Sequence, residues 1–147
     1  MTFDINKSLL HLFHRATQAA DELYDRNAGN DGITLRQLVV LSAIGTKEDL
    51  SQTDIVDVTG IDRSTLADIM RRIQNAGLIV RKRTKRDARA YEVRLTPKGR
   101  TILTAASQVA MQTENDLASG FKVRQRDELG RLLQDLVDAT RKGKAGD

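Results

Sequence analysis

Residues 51–99 constrain the fold more than any other part of the chain. SQTDIVDVTGIDRSTLADIMRRIQNAGL is followed by IVRKR, then TKRDARA, YEVRL and TPKG. Ser51, with Asp54 three residues on, opens a short helix that ends at Thr59-Gly60, where glycine suits a tight interhelical turn. Asp62 caps the next helix. Its apolar positions Leu66, Ile69, Met70 and Ile73 follow the i, i+3, i+4, i+7 rule, and Gly77 closes it. Ile79–Arg83 and Tyr91–Leu95 alternate apolar and charged residues, the pattern of half-buried strands in a hairpin. Thr96-Pro97 then caps and starts another helix. The expected unit is a helix-turn-helix followed by a basic β-hairpin wing.

The flanks read as helices. Residues 4 to about 27 carry Leu9, Phe13, Ala16, Ala20 and Leu23 at spacings of four and three, the seam of a helix that packs along another. Thr34 caps a second helix expected to run to Ile44 and stop at Gly45; its apolar residues face more than one way. After residue 97 the stripe Ile102, Leu103, Ala106, Val109, Ala110, Leu117 and Phe121 predicts a long helix. A break near Ser119 and Gly120 precedes a last helix with Leu129, Leu132, Leu133, Leu136 and Val137. The expected fold is mainly α with a small β-hairpin wing. Residues 34–99 are expected to form the winged helix-turn-helix part of a single 147-residue chain, and 4–28 and 100–142 a helical part that packs along another helix.

Charge gives the unit a partner. The chain carries a net charge of +4, but Arg81, Lys82, Arg83, Lys85, Arg86, Arg89, Arg94, Lys98 and Arg100 are offset nearby only by Asp87 and Glu92. The rest of the chain is therefore slightly acidic, and a concentrated basic patch on such a body suits a polyanion. Aromatic residues are only 3% of the chain, too few for single-strand binding by base stacking. Double-stranded DNA is the expected partner. On the second helix of the motif Arg63, Ser64, Thr65, Asp68, Arg71 and Arg72 are the candidates to reach bases or phosphates. Asp68 either accepts from a cytosine amino group or only pairs with Arg71 or Arg72 along the helix. At the hairpin tip Lys85, Arg86 and Arg89 suit the backbone and the minor groove. Asp87 either steadies Arg89 or relieves repulsion among its neighbours.

Other chemistries find little support. There is no cysteine, hence no disulfide, thiolate metal site or thiol sensor. His11 and His14 share a helix face, but two ligands do not make a metal site. No nucleophile–base pair or phosphate-cradling loop is recognisable, so neither an enzyme nor a cofactor is expected. No apolar run approaches a membrane span and no signal peptide is visible, which makes the cytoplasm the expected compartment.

The run DARAYEVRLTPKG resembles the Asp-x-Arg…Val-x-Leu-Thr-x-x-Gly signature of the MarR family of transcriptional regulators. Thr34, Gln37 and Leu41 resemble that family's second-helix pattern, and GIDRSTLADIMRRIQNAGLIVR its recognition helix and entry to the wing. The resemblance implies a homodimer joined through the terminal helices. It implies binding to a pseudo-palindromic operator, usually to repress, and release by a small aromatic acid, phenolic or acyl-CoA ligand. Arg89 would be the wing-tip arginine and Asp87 its partner. For the effector, Arg36 is a candidate anion partner, though an ordinary salt bridge would equally explain it; His14 and Arg15 are comparable candidates. The same fold would also serve a non-specific architectural or protein-binding module.

Overall fold

The structure, a computed structural model, describes residues 4–30, 32–47, 50–83 and 91–144. A short 3-10 turn, Ile5–Lys7, precedes α1 (Leu9–Ala28), α2 (Leu35–Thr46), α3 (Gln52–Thr59), α4 (Arg63–Asn75), β1 (Ile79–Arg83), β2 (Tyr91–Leu95), α5 (Pro97–Leu117) and α6 (Val123–Lys144). The chain separates into two compact units, Met1–Thr113 and Glu114–Asp147.

In the first unit the caps expected from sequence are in place. Thr34 and Gln37 exchange hydrogen bonds in a capping box, as do Ser51 and Asp54. Gly60 and Gly77 take the left-handed backbone conformation, φ 70° and 74°, that ends α3 and α4 without a Cβ penalty. The hairpin is antiparallel, with Ile79 opposite Leu95 and Arg83 opposite Tyr91.

Two boundaries differ from expectation. The first helix does not start at residue 4: Ser8 is its N-cap, accepting from the His11 N–H. Gly45 does not stop α2, which continues to Thr46. A Cβ at Gly45 would sit 3.0 Å from Leu103 and 3.2 Å from Leu95, so that glycine lets neighbours pack closely rather than ending the helix.

The main core joins Val40, Leu41 and Ile44 of α2, Ile55 of α3, all four apolar positions of α4, and Ile79, Val93 and Leu95 of the hairpin. Each such side chain contributes about 1.5–3 kcal/mol by leaving water. Leu50 joins them, and its carbonyl accepts from the Val93 N–H at 3.3 Å, a strand-like bridge beside β2. A second cluster gathers Tyr24, Leu38 and Ala106, so α2 is buried on two sides.

The start of α5 is fastened to the end of α4. Thr96 donates through its hydroxyl to the Gly77 carbonyl (2.7 Å), and its N–H donates to the Leu78 carbonyl (3.0 Å). Lys98 Nζ donates to the Ala76 carbonyl at 2.8 Å. Gly99 lies so close to Leu78 that a Cβ would fall 2.0 Å from its carbonyl oxygen.

In the second unit α6 buries no described side chain; Leu129, Leu132, Leu133, Leu136 and Val137 are all exposed. No helix among the described residues is long and apolar enough to cross a membrane.

Candidate nucleic-acid interface

Helix α4 packs its apolar stripe inward and leaves Arg63, Ser64, Arg71 and Arg72 exposed. Its N-terminus is held by Asp62, whose carboxylate accepts from the Thr65 N–H at 2.9 Å and the Ser64 hydroxyl at 2.7 Å. Bonds from Thr65 first, and then from Ser64, keep that carboxyl well below the usual carboxylate range. Ser64 is thereby oriented by its own helix cap.

Asp68 uses both oxygens on its own helix. Oδ1 accepts from Arg71 Nη2, and Oδ2 pairs with Arg72 Nε at 2.8 Å. The Arg71 bond, then the charges of Arg72 and Arg71, lower its pKa. Of the two roles open to Asp68 at the sequence level, the ion-pair role is the one with geometry here.

The exposed face of α4 does not stand alone. Ser64, Thr65, Asp68, Ile69 and Arg72 line a groove with Thr34, Arg36 and Gln37 from the start of α2, enclosing about 400 Å³. Arg36, considered above as an effector contact, therefore stands with the α4 residues. Nothing in the sequence motif joined it to them; the packing of α2 against α4 does.

On the hairpin Arg81, Lys82 and Arg83 are exposed, and the Arg83 guanidinium lies 5.8 Å from the Tyr91 ring centroid. Arg94 pairs with Glu92 at 3.4 Å. Lys98 is drawn out of the basic patch by its bond to Ala76, a role in the fold that sequence counting missed. Lys85, Arg86, Asp87 and Arg89 lie outside the described residues.

A different kind of site lies on the other side of α2. Tyr24, Ala28, Gly32 and Ile33 face Ile102, Ala105, Ala106 and Val109 of α5 around a cavity of about 210 Å³. Tyr24 is 1% exposed, and its hydroxyl has no hydrogen-bond partner among the described residues. Burial, and then the Asp25 charge, push its pKa up. A buried hydroxyl without a partner costs about 1–3 kcal/mol. The sequence reading passed over Tyr24; the signal was a polar-tipped ring one turn after Ala20 on an otherwise aliphatic helix. His14 and Arg15 are exposed and line neither the groove nor the cavity. Among the described residues no group of His, Asp or Glu is placed to hold a metal ion.

Comparison with known proteins gives one answer throughout. The profile of the MarR family matches residues 31–90. The transcriptional repressor NicR of Pseudomonas putida is 24% identical over 137 residues, 93% of this chain and 87% of its own. A structure of BpsR from Bordetella bronchiseptica, whose DNA binding is regulated by 6-hydroxynicotinic acid, superposes with a TM-score of 0.89. It is 25% identical and covers 94% of this chain and 99% of its own. The repressor CouR bound to a 23-mer DNA duplex is also 25% identical, with a TM-score of 0.83 over 93% of this chain and 99% of its own.

Proposed function

The chain belongs to the MarR family, and on that premise we propose that it is a sequence-specific regulator of transcription that binds double-stranded operator DNA as a homodimer. It responds to a small molecule, acts in the cytoplasm and catalyses no reaction. The observation that carries the proposal is the groove between α2 and α4. It sets the hydroxyl-bearing starts of two helices, Thr34 and Ser64-Thr65, side by side with the guanidiniums of Arg36 and Arg72, and the cations of β1 are exposed as well. Such a face suits a major groove flanked by phosphates.

In this reading Ser64, Thr65 and Arg71 meet base edges, while Arg36, Arg63 and Arg72 hold the backbone. Residues 34–99 form the reading part, and Lys85, Arg86, Asp87 and Arg89 of the wing act on the adjacent groove. The apolar surfaces of α1 (Leu9, Leu10, Leu12) and of α6 each supply area to a second copy, which supports a dimer. The effector role is supported by the relative controlled by 6-hydroxynicotinic acid.

Binding to a selected operator and to scrambled DNA, followed over a range of salt, tests the proposal. A specific regulator separates the two by about 10³ or more. Arg36→Ala and Arg72→Ala should each flatten the log–log salt slope by about 0.9. A ratio near unity would assign the fold to a non-specific architectural role instead.

A further inference from the structure

We infer that Tyr91 is a positioning residue for DNA binding: its ring holds the Arg83 guanidinium at the base of the hairpin, ready for a DNA phosphate. The inference rests on the DNA-binding reading above and adds to it a residue that carries no charge.

The register of the hairpin places the pair. Side chains of a strand alternate between faces, so Ile79, Arg81 and Arg83 share one face of β1. Their partners across the ladder are Leu95, Val93 and Tyr91. Ile79, Val93 and Leu95 are buried, and a slip by one residue would turn that set out to water. The core thus fixes the register, and the register sets Arg83 opposite Tyr91. Tyr91 is 47% exposed, so this face leaves the core where the ring stands. The ring also lines a small cavity with Arg81, Val93 and the first residues of α3, Ser51, Gln52 and Thr53.

The contact leaves the guanidinium able to bind. Its carbon lies 5.8 Å from the Tyr91 ring centroid, within the range of a cation–π attraction. A neutral ring leaves the full positive charge, and most of the N–H donors, for a phosphate. Other arginines of this surface are held differently. Arg71 and Arg72 share Asp68, and Arg94 pairs with Glu92. Each of those has a carboxylate to exchange before it meets an anion, whereas Arg83 is held by a ring.

Holding the side chain beforehand has a measurable consequence. A long side chain that is ordered only on contact loses rotamer freedom at that moment, which weakens binding about two- to tenfold. Tyr91 removes part of that loss without adding or subtracting charge.

Fluorescence anisotropy with a random-sequence DNA duplex and the full chain, followed over a range of salt, tests this. Arg83→Ala should flatten the log–log salt slope by about 0.9, the worth of one phosphate. Tyr91→Leu should weaken binding about two- to tenfold with the slope kept, and Tyr91→Phe should bind as the unaltered protein does. In the Arg83→Ala background Tyr91→Leu should have no further effect. An unchanged slope in Arg83→Ala, a loss in Tyr91→Phe equal to that in Tyr91→Leu, or a Tyr91→Leu loss that persists without Arg83 would each overturn the inference. The ratio of operator to scrambled DNA for the unaltered protein keeps the two readings apart. A ratio near unity with the coupling intact sinks the regulator and spares Tyr91; a high ratio with no coupling does the reverse.

Discussion

Helices α1 and α4 are both amphipathic, yet they use their apolar faces differently. The 13-residue α4 buries Leu66, Ile69, Met70 and Ile73 within its own unit, and its other face carries charge. The 20-residue α1 buries only Tyr24, while Leu9 and Leu10 are 68% and 79% exposed. The number of apolar residues on a helix therefore does not measure what that helix buries in its own chain. The stripe of α4 completes a core. That of α1 is half surface, and its single buried member faces a cavity.

The sharpest way to break this contrast is a matched pair of truncations. Leu66→Ala should cost about 3 kcal/mol in urea unfolding, since Leu66 is fully buried. Leu10→Ser should leave the helical circular dichroism intact and move the sedimentation of the protein from dimer toward monomer. Unfolding of both variants to the same degree would show that α1 belongs to the core after all. Next in size is the junction at the end of α4. Gly99→Ala forces a Cβ against the Leu78 carbonyl and should lower stability by about 2–3 kcal/mol, read from the same urea curves. A neutral result would mean that α5 can slide away from α4.

The smallest effect concerns the cap of α4. The Asp62 carboxyl has its pKa lowered in the fold, so its contribution is full above the unfolded value near 3.8 and is lost as pH falls through the folded one. Thermal unfolding of Asp62→Asn beside the unaltered protein should show a gap that is constant at neutral pH. The gap should narrow below about pH 4. A gap that widened in acid would contradict the hydrogen-bonded cap.

The parts of the fold legible in the sequence are those set by local chemistry. The capping residues Thr34, Ser51 and Asp62, the turn at Gly60 and the limits of both strands are fixed by side chains within a few positions of each other. What escaped depends on distant neighbours. Gly45 reads as a stop until Leu95 and Leu103 are seen against it. Lys98 reads as part of a basic patch until the Ala76 carbonyl claims it, and Leu50 gives no hint of its bridge to Val93. Arg36 could be placed on a helix by its spacing but not assigned to a side of the molecule. The α4 face was readable because its periodicity is local; the cavity at Tyr24 was not, because α5 supplies half of its wall.

The carboxylate shared by Arg71 and Arg72 bears on how such a protein finds its target among many wrong sequences. A guanidinium already paired gains less from each phosphate it passes, because an existing partner must first be given up. If Arg71 and Arg72 meet DNA as proposed, Asp68 would weaken adhesion to arbitrary sequence more than adhesion to a site whose bases reward the exchange. Sliding would stay fast, and residence would be reserved for the correct address.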